Sequence, residues 1–414
     1  MSVTFEGKYF VTGKSLPHTM SPDIYTRLGL DYGVKEFPTA EDFLLWVSGK
    51  DYDGFNVTIP YKETVMPLLD YVSPEAQEIG AVNTVVKRDG KLYGYNTDCY
   101  GMARAIKENG IEVSGKVVAV LGSGGTSKCA VYVLKNLGAK EVKVCSRSGA
   151  YNYEKLYADS SIKVIVNTTP IGMFPHVDES VVDLDKLGAV DSVYDVIYNP
   201  LTTLLVQKAK DKGLKCGNGL SMLVYQGVKA YELYTDTKLT EVETQKLYND
   251  IYASKKNVVL VGMPGAGKTT LGKAIASAMN KEFFDSDEEF VSTFGVTPKE
   301  VILERGESAF RDMESEVIKT LSSKLGAVIA TGGGAVLREE NRRNLKANST
   351  VIFIDRDLDL LTTEGRPLSE KEGVQALYKK RLPIYQEIAH FTISSGKDAT
   401  IEETIKSILD ILNA

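Results

Sequence analysis

The chain has 414 residues, 43% hydrophobic and 25% charged, with a formal net charge of −6. One core rarely organises more than roughly 250–300 residues, so this length predicts about two to three domains. The acidic balance excludes the broad basic face that nucleic-acid binding needs, and three scattered histidines (His18, His176, His390) argue against a histidine metal centre.

Taken in chain order, Tyr9–Gly13 and Gly54–Ile59 read as strands, and Glu41–Val47 and Lys62–Leu69 as helices. From residue 101 to 224 strands and helices alternate: Val117–Leu121, Thr126–Leu137, Glu141–Cys145, Val164–Asn167, Ser192–Val196 and Leu201–Lys212. That alternation predicts a parallel sheet covered on both faces. Residues 221–253 read as helix with a break near Thr235–Thr240. The polar stretch 253–257 is the expected linker between domains. A second α/β pattern fills 257–414, with strands at Asn257–Val261, Ala327–Thr331 and Thr350–Ile354 and a helix at Thr270–Met279. The start, Met1–Gly7, has no basic and then apolar run, and no uncharged apolar stretch approaches the roughly 18 residues of a membrane helix. A cytoplasmic protein is expected. Cys99, Cys129, Cys145 and Cys216 form no CxxC pair, which fits free thiols in a reducing compartment.

Two glycine-rich loops carry the chemistry. The first, Gly122-Ser123-Gly124-Gly125, follows one strand and opens a helix. Such a turn lets a dinucleotide pyrophosphate approach the backbone and meet unpaired helix N–H groups. Its third glycine is replaced by Ser127. The next strand ends in Ser146-Arg147-Ser148, where an NAD site would want a carboxylate; an arginine there suits a 2′-phosphate, so NADP(H) is the expected cofactor. Elsewhere in this half, Lys62 and Asp98 stand in polar loops. A lysine oriented by an aspartate can supply the proton that reduction of a ketone requires. From spacing alone both would more often be surface charges.

Residues 1–253 resemble shikimate dehydrogenase. The resemblance is carried by His18-Thr19-Met20-Ser21-Pro22, Asn56–Lys62, Ala81–Thr84, Asn96-Thr97-Asp98, Gly122–Gly125, Asn167–Met173, Tyr194–Pro200 and Asn218–Leu223 with Gln226. It implies a substrate-binding domain at 1–100, completed by helices of 225–253, and a Rossmann-like NADP-binding domain at 101–224. It implies Lys62 and Asp98 as the catalytic pair. Thr19, Ser21, Thr58, Asn83, Tyr198 and Gln226 would hold the substrate, and Gly219 and Met222 would flank the nicotinamide. Thr19 replaces the family's serine, a second basic residue after Arg147 is missing, and the stretch after Ser148 is short.

The second loop, Gly262-Met263-Pro264-Gly265-Ala266-Gly267-Lys268-Thr269, matches G-x-x-x-x-G-K-[ST] in full. Backbone N–H groups of such a loop, continuing to Thr270, cradle the phosphates of ATP; Lys268 reaches the β/γ oxygens, and the Thr269 hydroxyl ligates Mg²⁺. Asp285 can complete the Mg²⁺ shell and Asp287 can accept a hydroxyl proton, although either could instead cap the following helix. Arg311 and Arg381, with the turn Gly332-Gly333-Gly334, can bind a small carboxylate.

Residues 257–412 resemble shikimate kinase. The resemblance gives Asp287, Arg311, Gly333, Gly334 and Arg381 to shikimate, and Lys268, Thr269 and Asp285 to MgATP. Glu314 would orient the arginines, and Arg366 would stabilise the transferring phosphoryl from a lid. Thr362–Gly365 is shorter than the family's stretch with its adenine-stacking arginine, and the lid before Arg381 is also short. The expected protein is a bifunctional enzyme of the shikimate pathway. It reduces 3-dehydroshikimate with NADPH and phosphorylates the product with MgATP. Its partners are small molecules, with no nucleic acid and no membrane. Two weaker readings are a dehydrogenase carrying an ATP-sensing module and a kinase carrying an inert docking domain.

Overall fold

The computed structural model describes residues 5–16, 19–361, 373–396 and 400–413. The chain divides into two compact units. One is Met1–Ile171, Ser180–Tyr198 and Leu205–Ile251; the other is Gly172–Glu179, Asn199–Leu204 and Tyr252–Ala414.

The first unit opens with β1 (Phe5–Gly13), α1 (Ser21–Arg27), β2 (Leu30–Glu36), α2 (Ala40–Gly49), β3 (Gly54–Val57), β4 (Tyr71–Val72), α3 (Pro74–Ile79), β5 (Thr84–Arg88) and β6 (Lys91–Tyr95). These strands form a mixed sheet in the order β2-β1-β3-β5-β6-β4. One face buries Phe43, Val47, Tyr52 and Phe55, where the Tyr52 and Phe55 rings meet edge-on at 4.7 Å. The expected helix at Lys62–Leu69 does not form; turns end in a short 3₁₀ helix at Met66–Leu68. Pro67 explains this, because it has no N–H to donate to the carbonyl four residues back and its ring obstructs that carbonyl. Lys62 therefore sits on a compact turn and not on a helix.

The unit continues with α4 (Thr97–Glu108), β7 (Val117–Leu121), α5 (Gly125–Asn136), β8 (Glu141–Cys145), α6 (Tyr153–Ala158), β9 (Ile162–Asn167), β10 (Ser192–Asp195), α7 (Leu204–Asp211), β11 (Lys215–Gly217), α8 (Gly219–Thr235) and α9 (Glu241–Lys255). Strands β7–β11 make a parallel sheet in the order β11-β10-β9-β7-β8. Val118–Leu121 and Val164–Val166 are fully buried, as continuous apolar strands of a parallel sheet should be. The break expected near Thr235–Thr240 separates α8 from α9. Helix α9 runs to Lys255, so most of the stretch expected to be a linker is the last turn of a helix. Tyr231 and Tyr234 of α8 pack with Tyr9 of β1, Tyr25 of α1 and Tyr32 of β2.

The second unit contains β12 (Asn257–Val261), α10 (Lys268–Met279), β13 (Glu282–Asp285), α11 (Ser286–Phe294), α12 (Pro298–Ser322), β14 (Ala327–Ala330), α13 (Glu339–Ala347), β15 (Ser349–Arg356), α14 (Val374–Ile388), β16 (Phe391–Ser395) and α15 (Ile401–Asn413). The parallel sheet runs β13-β14-β12-β15-β16. Its two faces bury separate apolar clusters, one around Val259, Phe353 and Tyr385 and the other around Leu260, Ile275 and Ile352. Each such side chain contributes about 1.5–3 kcal/mol relative to exposure. Helix α12 is broken at Gly306, whose φ is 84°. Among the described residues no helix is long and apolar enough to cross a membrane, and all four cysteines are unpaired.

Candidate active sites

In the first unit, Asn96 caps α4 by accepting a hydrogen bond from the Cys99 N–H, which puts Asp98 in the helix's first turn. There its carboxylate accepts a 2.6 Å hydrogen bond from Lys62 Nζ. Burial pushes the Lys62 ammonium down, but the charge and hydrogen bond of Asp98 outweigh it, and its pKa lies above the ordinary lysine value. The ammonium is thus kept charged at neutral pH.

Around this pair runs a buried polar network. Asn83 Oδ1 accepts from the Thr97 N–H at 2.7 Å, and its Nδ2 donates to Thr97 Oγ1 at 3.1 Å. The Thr97 hydroxyl also donates to Gln226 Oε1 at 3.2 Å, and Gln226 Nε2 donates to the Leu223 carbonyl. Asn83 and Gln226 are therefore oriented by the protein, each amide NH₂ retaining a second hydrogen. Asn56 stands behind them. Its Oδ1 accepts from Tyr25 and Tyr32 hydroxyls at 2.8 and 2.6 Å, while its Nδ2 donates to the Asn83 carbonyl and Thr84 Oγ1. Thr97 stood in the Asn96-Thr97-Asp98 motif without an assigned role, and the two tyrosines were not singled out from the sequence. Nothing in their spacing announces a network spread over α1, β2 and α4.

Thr19 and Ser21 share a 3.4 Å hydroxyl contact, Thr58 is anchored by its N–H to the Thr12 carbonyl, and the Tyr198 phenol has its pKa raised by burial. Gly219 is required by packing. A Cβ there would lie 1.9 Å from the Val196 carbonyl oxygen. The carbonyl of Met222 and the N–H of Gln226 press likewise on Gly101, which closes α8 against α4.

The glycines of the first loop differ. Gly122 has φ 108°, and a Cβ would lie 2.8 Å from Thr168 Oγ1. At Gly124 and Gly125 a Cβ would meet nothing within 4 Å. Protein packing thus explains the first glycine and leaves the others to an approaching ligand. No side chain caps α5, so its first N–H groups remain for an anion. Lys128, in this helix, forms a 2.9 Å ion pair with Glu63, the residue after Lys62, so the loop's helix meets the turn that carries Lys62. Ser146-Arg147-Ser148 forms a turn after β8 with Arg147 exposed.

In the second unit, a cavity of about 430 Å³ gathers Gly265, Gly267, Lys268, Thr269, Thr270, Asp285, Asp287, Arg311, Glu314, Gly333, Gly334 and Arg381. Ala266 does not line it. That side chain is buried in the apolar cluster under α10, so only its backbone can face a ligand. Lys268 Nζ donates to the Gly262 and Met263 carbonyls at 3.0 and 2.9 Å. The Thr269 hydroxyl donates to Asp285 Oδ2 at 2.6 Å. Asp285 is also the cap of α11, accepting from the Asp287 N–H, so the capping role falls to Asp285 and not to Asp287.

Arg311 donates from Nη1 to Glu314 Oε2 at 2.6 Å and from Nη2 to Glu307 Oε1 at 3.0 Å. Glu307 was missed from the sequence, although it stands one helical turn before Arg311. Burial raises the Glu314 carboxyl; Arg311 opposes this, and Asp287 adds to it. Burial also pushes the Tyr385 phenol up to about 12, against the pull of Arg381. The Tyr385 hydroxyl donates to the Gly333 carbonyl. Each glycine of the triple turn admits a different neighbour. A Cβ would lie 3.0 Å from Asp287 Oδ1 at Gly332, 2.5 Å from Pro264 at Gly333 and 2.3 Å from Arg311 Nη2 at Gly334. Arg366 lies outside the described residues. Among the described residues no group of three or more His, Cys, Asp or Glu could hold a metal ion.

Comparison with known proteins separates the same two halves. The family model of the shikimate dehydrogenase substrate binding domain matches residues 11–85, and that of shikimate kinase matches 264–413. A shikimate dehydrogenase (NADP(+)) of Caldicellulosiruptor bescii is 38% identical over 257 residues, covering 55% of this chain and 89% of that protein. The crystal structure of shikimate dehydrogenase 1 from Peptoclostridium difficile is similar with a TM-score of 0.54 at 34% identity, over 58% of this chain and 96% of that one. A Thermus thermophilus shikimate 5-dehydrogenase in complex with NADP(H) and shikimate is similar with a TM-score of 0.52 at 32% identity, over 58% of this chain and 98% of that one. The chain belongs to the shikimate dehydrogenase family through its N-terminal half and carries a shikimate kinase domain in its C-terminal half, an oxidoreductase and a phosphotransferase of the shikimate pathway on one polypeptide.

Proposed function

We propose that the N-terminal half reduces 3-dehydroshikimate to shikimate with NADPH and that the C-terminal half phosphorylates shikimate to shikimate 3-phosphate with MgATP. The observation that carries this reading is that each half sets a cation–carboxylate pair close to a glycine-rich loop: Lys62–Asp98, its lysine on a turn tied to α5 by the Lys128–Glu63 ion pair, and Arg311–Glu314, lining one cavity with the P-loop.

NADPH supplies the hydride. The residues that fit it are the open Gly124–Gly125 turn, the uncapped α5 and the exposed Arg147 for a 2′-phosphate, with Ser146 and Ser148 beside it. Thr19, Ser21, Thr58, Asn83, Tyr198 and Gln226 hold the ring's carboxylate and hydroxyls. Lys62 gives a proton to the oxygen that gains charge, and Asp98 keeps the lysine protonated and aimed.

MgATP supplies the phosphoryl group. Gly262, Gly265 and Gly267 all have positive φ, the backbone a P-loop cradle needs. Thr269 and Asp285 would hold Mg²⁺, an ion that keeps several waters and needs few protein ligands. Lys268 exchanges its loop carbonyls for phosphate oxygens. Arg311 and Arg381 grip the shikimate carboxylate, Glu314 holds Arg311, and Asp287 accepts the proton of the 3-hydroxyl. Arg366 would stabilise the transferring group.

The test is one coupled reaction of full-length protein with 3-dehydroshikimate, MgATP and either NADPH or NADH, with products identified by mass spectrometry. Shikimate 3-phosphate formed faster with NADPH is expected. Accumulation of shikimate in the presence of MgATP would remove the kinase assignment, and equal rates with NADH would remove the role of Arg147.

A further inference from the structure

Arg356 is the last residue of β15, the strand paired in parallel with β12 just below the P-loop. The approach is close: a Cβ on Gly262 would lie 2.6 Å from the carbonyl oxygen of Ile354. Arg356 Nη1 lies 3.4 Å from where a Cβ on Gly267 would be. Arg356 Nε is buried, and nothing among the described residues accepts a hydrogen bond from it.

The carboxylate that precedes it in the chain, Asp355, accepts from the Tyr378 hydroxyl. Meanwhile Gly267 begins α10 with no side-chain cap, so the positive end of that helix stands beside the guanidinium. A buried donor without an acceptor is unfavourable, and two positive features side by side repel each other. Both costs are offset if an anion bridges them.

We infer that Arg356 binds the phosphate chain of the nucleoside triphosphate, gripping it beside Gly267. Its fork suits phosphate oxygens better than a point charge does. The contact exists before and during phosphoryl transfer, so it acts on nucleotide affinity and leaves turnover nearly untouched. The inference rests on the P-loop being the ATP site.

The experiment measures binding of ADP and of inorganic tripolyphosphate to the full chain by calorimetry, with ATP kinetics alongside. Arg356→Gln is expected to weaken both ligands by roughly 10- to 100-fold, the scale of one lost charge-assisted hydrogen bond, and to raise KM for ATP with kcat within about threefold. Arg356→Lys should recover part of the loss. Weakening of ADP with tripolyphosphate unaffected would overturn the phosphate assignment in favour of contact with the base. Unchanged binding of both would reduce Arg356 to a surface charge. Lys268→Ala separates the two levels: if it too leaves both ligands unaffected, the P-loop assignment itself fails, whereas loss only in Lys268→Ala defeats the Arg356 inference alone. NADPH oxidation by each variant checks that the chain is folded.

Discussion

The two cation–carboxylate pairs of this chain are built on opposite plans. Lys62 and Asp98 are 36 residues apart, come from a turn and a helix N-terminus, and keep 26% and 19% of their side-chain surface exposed. Arg311 and Glu314 are three residues apart on one helix and are 9% and 5% exposed. The difference follows the chemistry proposed for each. A group that gives up and regains a proton needs a tunable pKa and a route to solvent, which lysine on a turn has. A group that holds a carboxylate needs a permanent charge in a rigid fork, which arginine has, and it tolerates burial only when paired.

The sharpest way to break this comparison is to remove one group from each side. Lys62→Ala should lower NADPH-dependent turnover by about 10²- to 10⁴-fold, the usual worth of a positioned acid, and leave kinase activity on added shikimate unchanged. Asp287→Ala should do the reverse. Loss of both activities in either folded variant would show that the sites are not independent.

A smaller effect distinguishes the glycines. Gly334→Ala drives a methyl group into the Arg311 guanidinium and should cost about 1–3 kcal/mol of stability, with kinase affinity for shikimate falling as Arg311 moves. Gly124→Ala meets no protein atom; it should leave the unfolding midpoint unchanged and raise the KM for NADPH by about tenfold, equivalent to about 1.4 kcal/mol. Equal losses of stability in the two variants would contradict a ligand-facing role for Gly124.

The mildest test is pH. Because the Lys62 pKa lies above its ordinary 10.5, the ammonium persists through the neutral and mildly alkaline range. Reduction, which uses the protonated form, should show no alkaline loss from this group up to about pH 9.5. Shikimate oxidation, which uses the neutral amine, should accelerate about tenfold per pH unit over the same range. A plateau in the oxidation profile between pH 7 and 9 would assign the proton transfer to another group.

Much of the fold was legible locally. Val117–Leu121 and Val258–Val261 are short continuous apolar runs followed by glycine, and they lie in the buried strands from which the two loops emerge. Lys62–Leu69 misled because its apolar spacing suits a helix, while a single proline rules out the hydrogen bond that the helix would need. Asn56 sat inside a recognisable motif, but its two tyrosine partners could not be read from it, since Tyr25 and Tyr32 approach it from separate elements.

By itself the sequence determined which chemistries are present: a P-loop complete within one short segment, a glycine turn between a strand and a helix, and the residue types able to move protons or hold anions. Those features depend on neighbours along the chain, so a linear reading captures them. Tertiary structure alone decided that Asp98 faces Lys62, that each glycine of the triple turn admits a different partner, and that Arg356 stands beside Gly267. Such contacts join segments tens of residues apart, and their geometry is set by how sheets and helices pack, which no local pattern encodes.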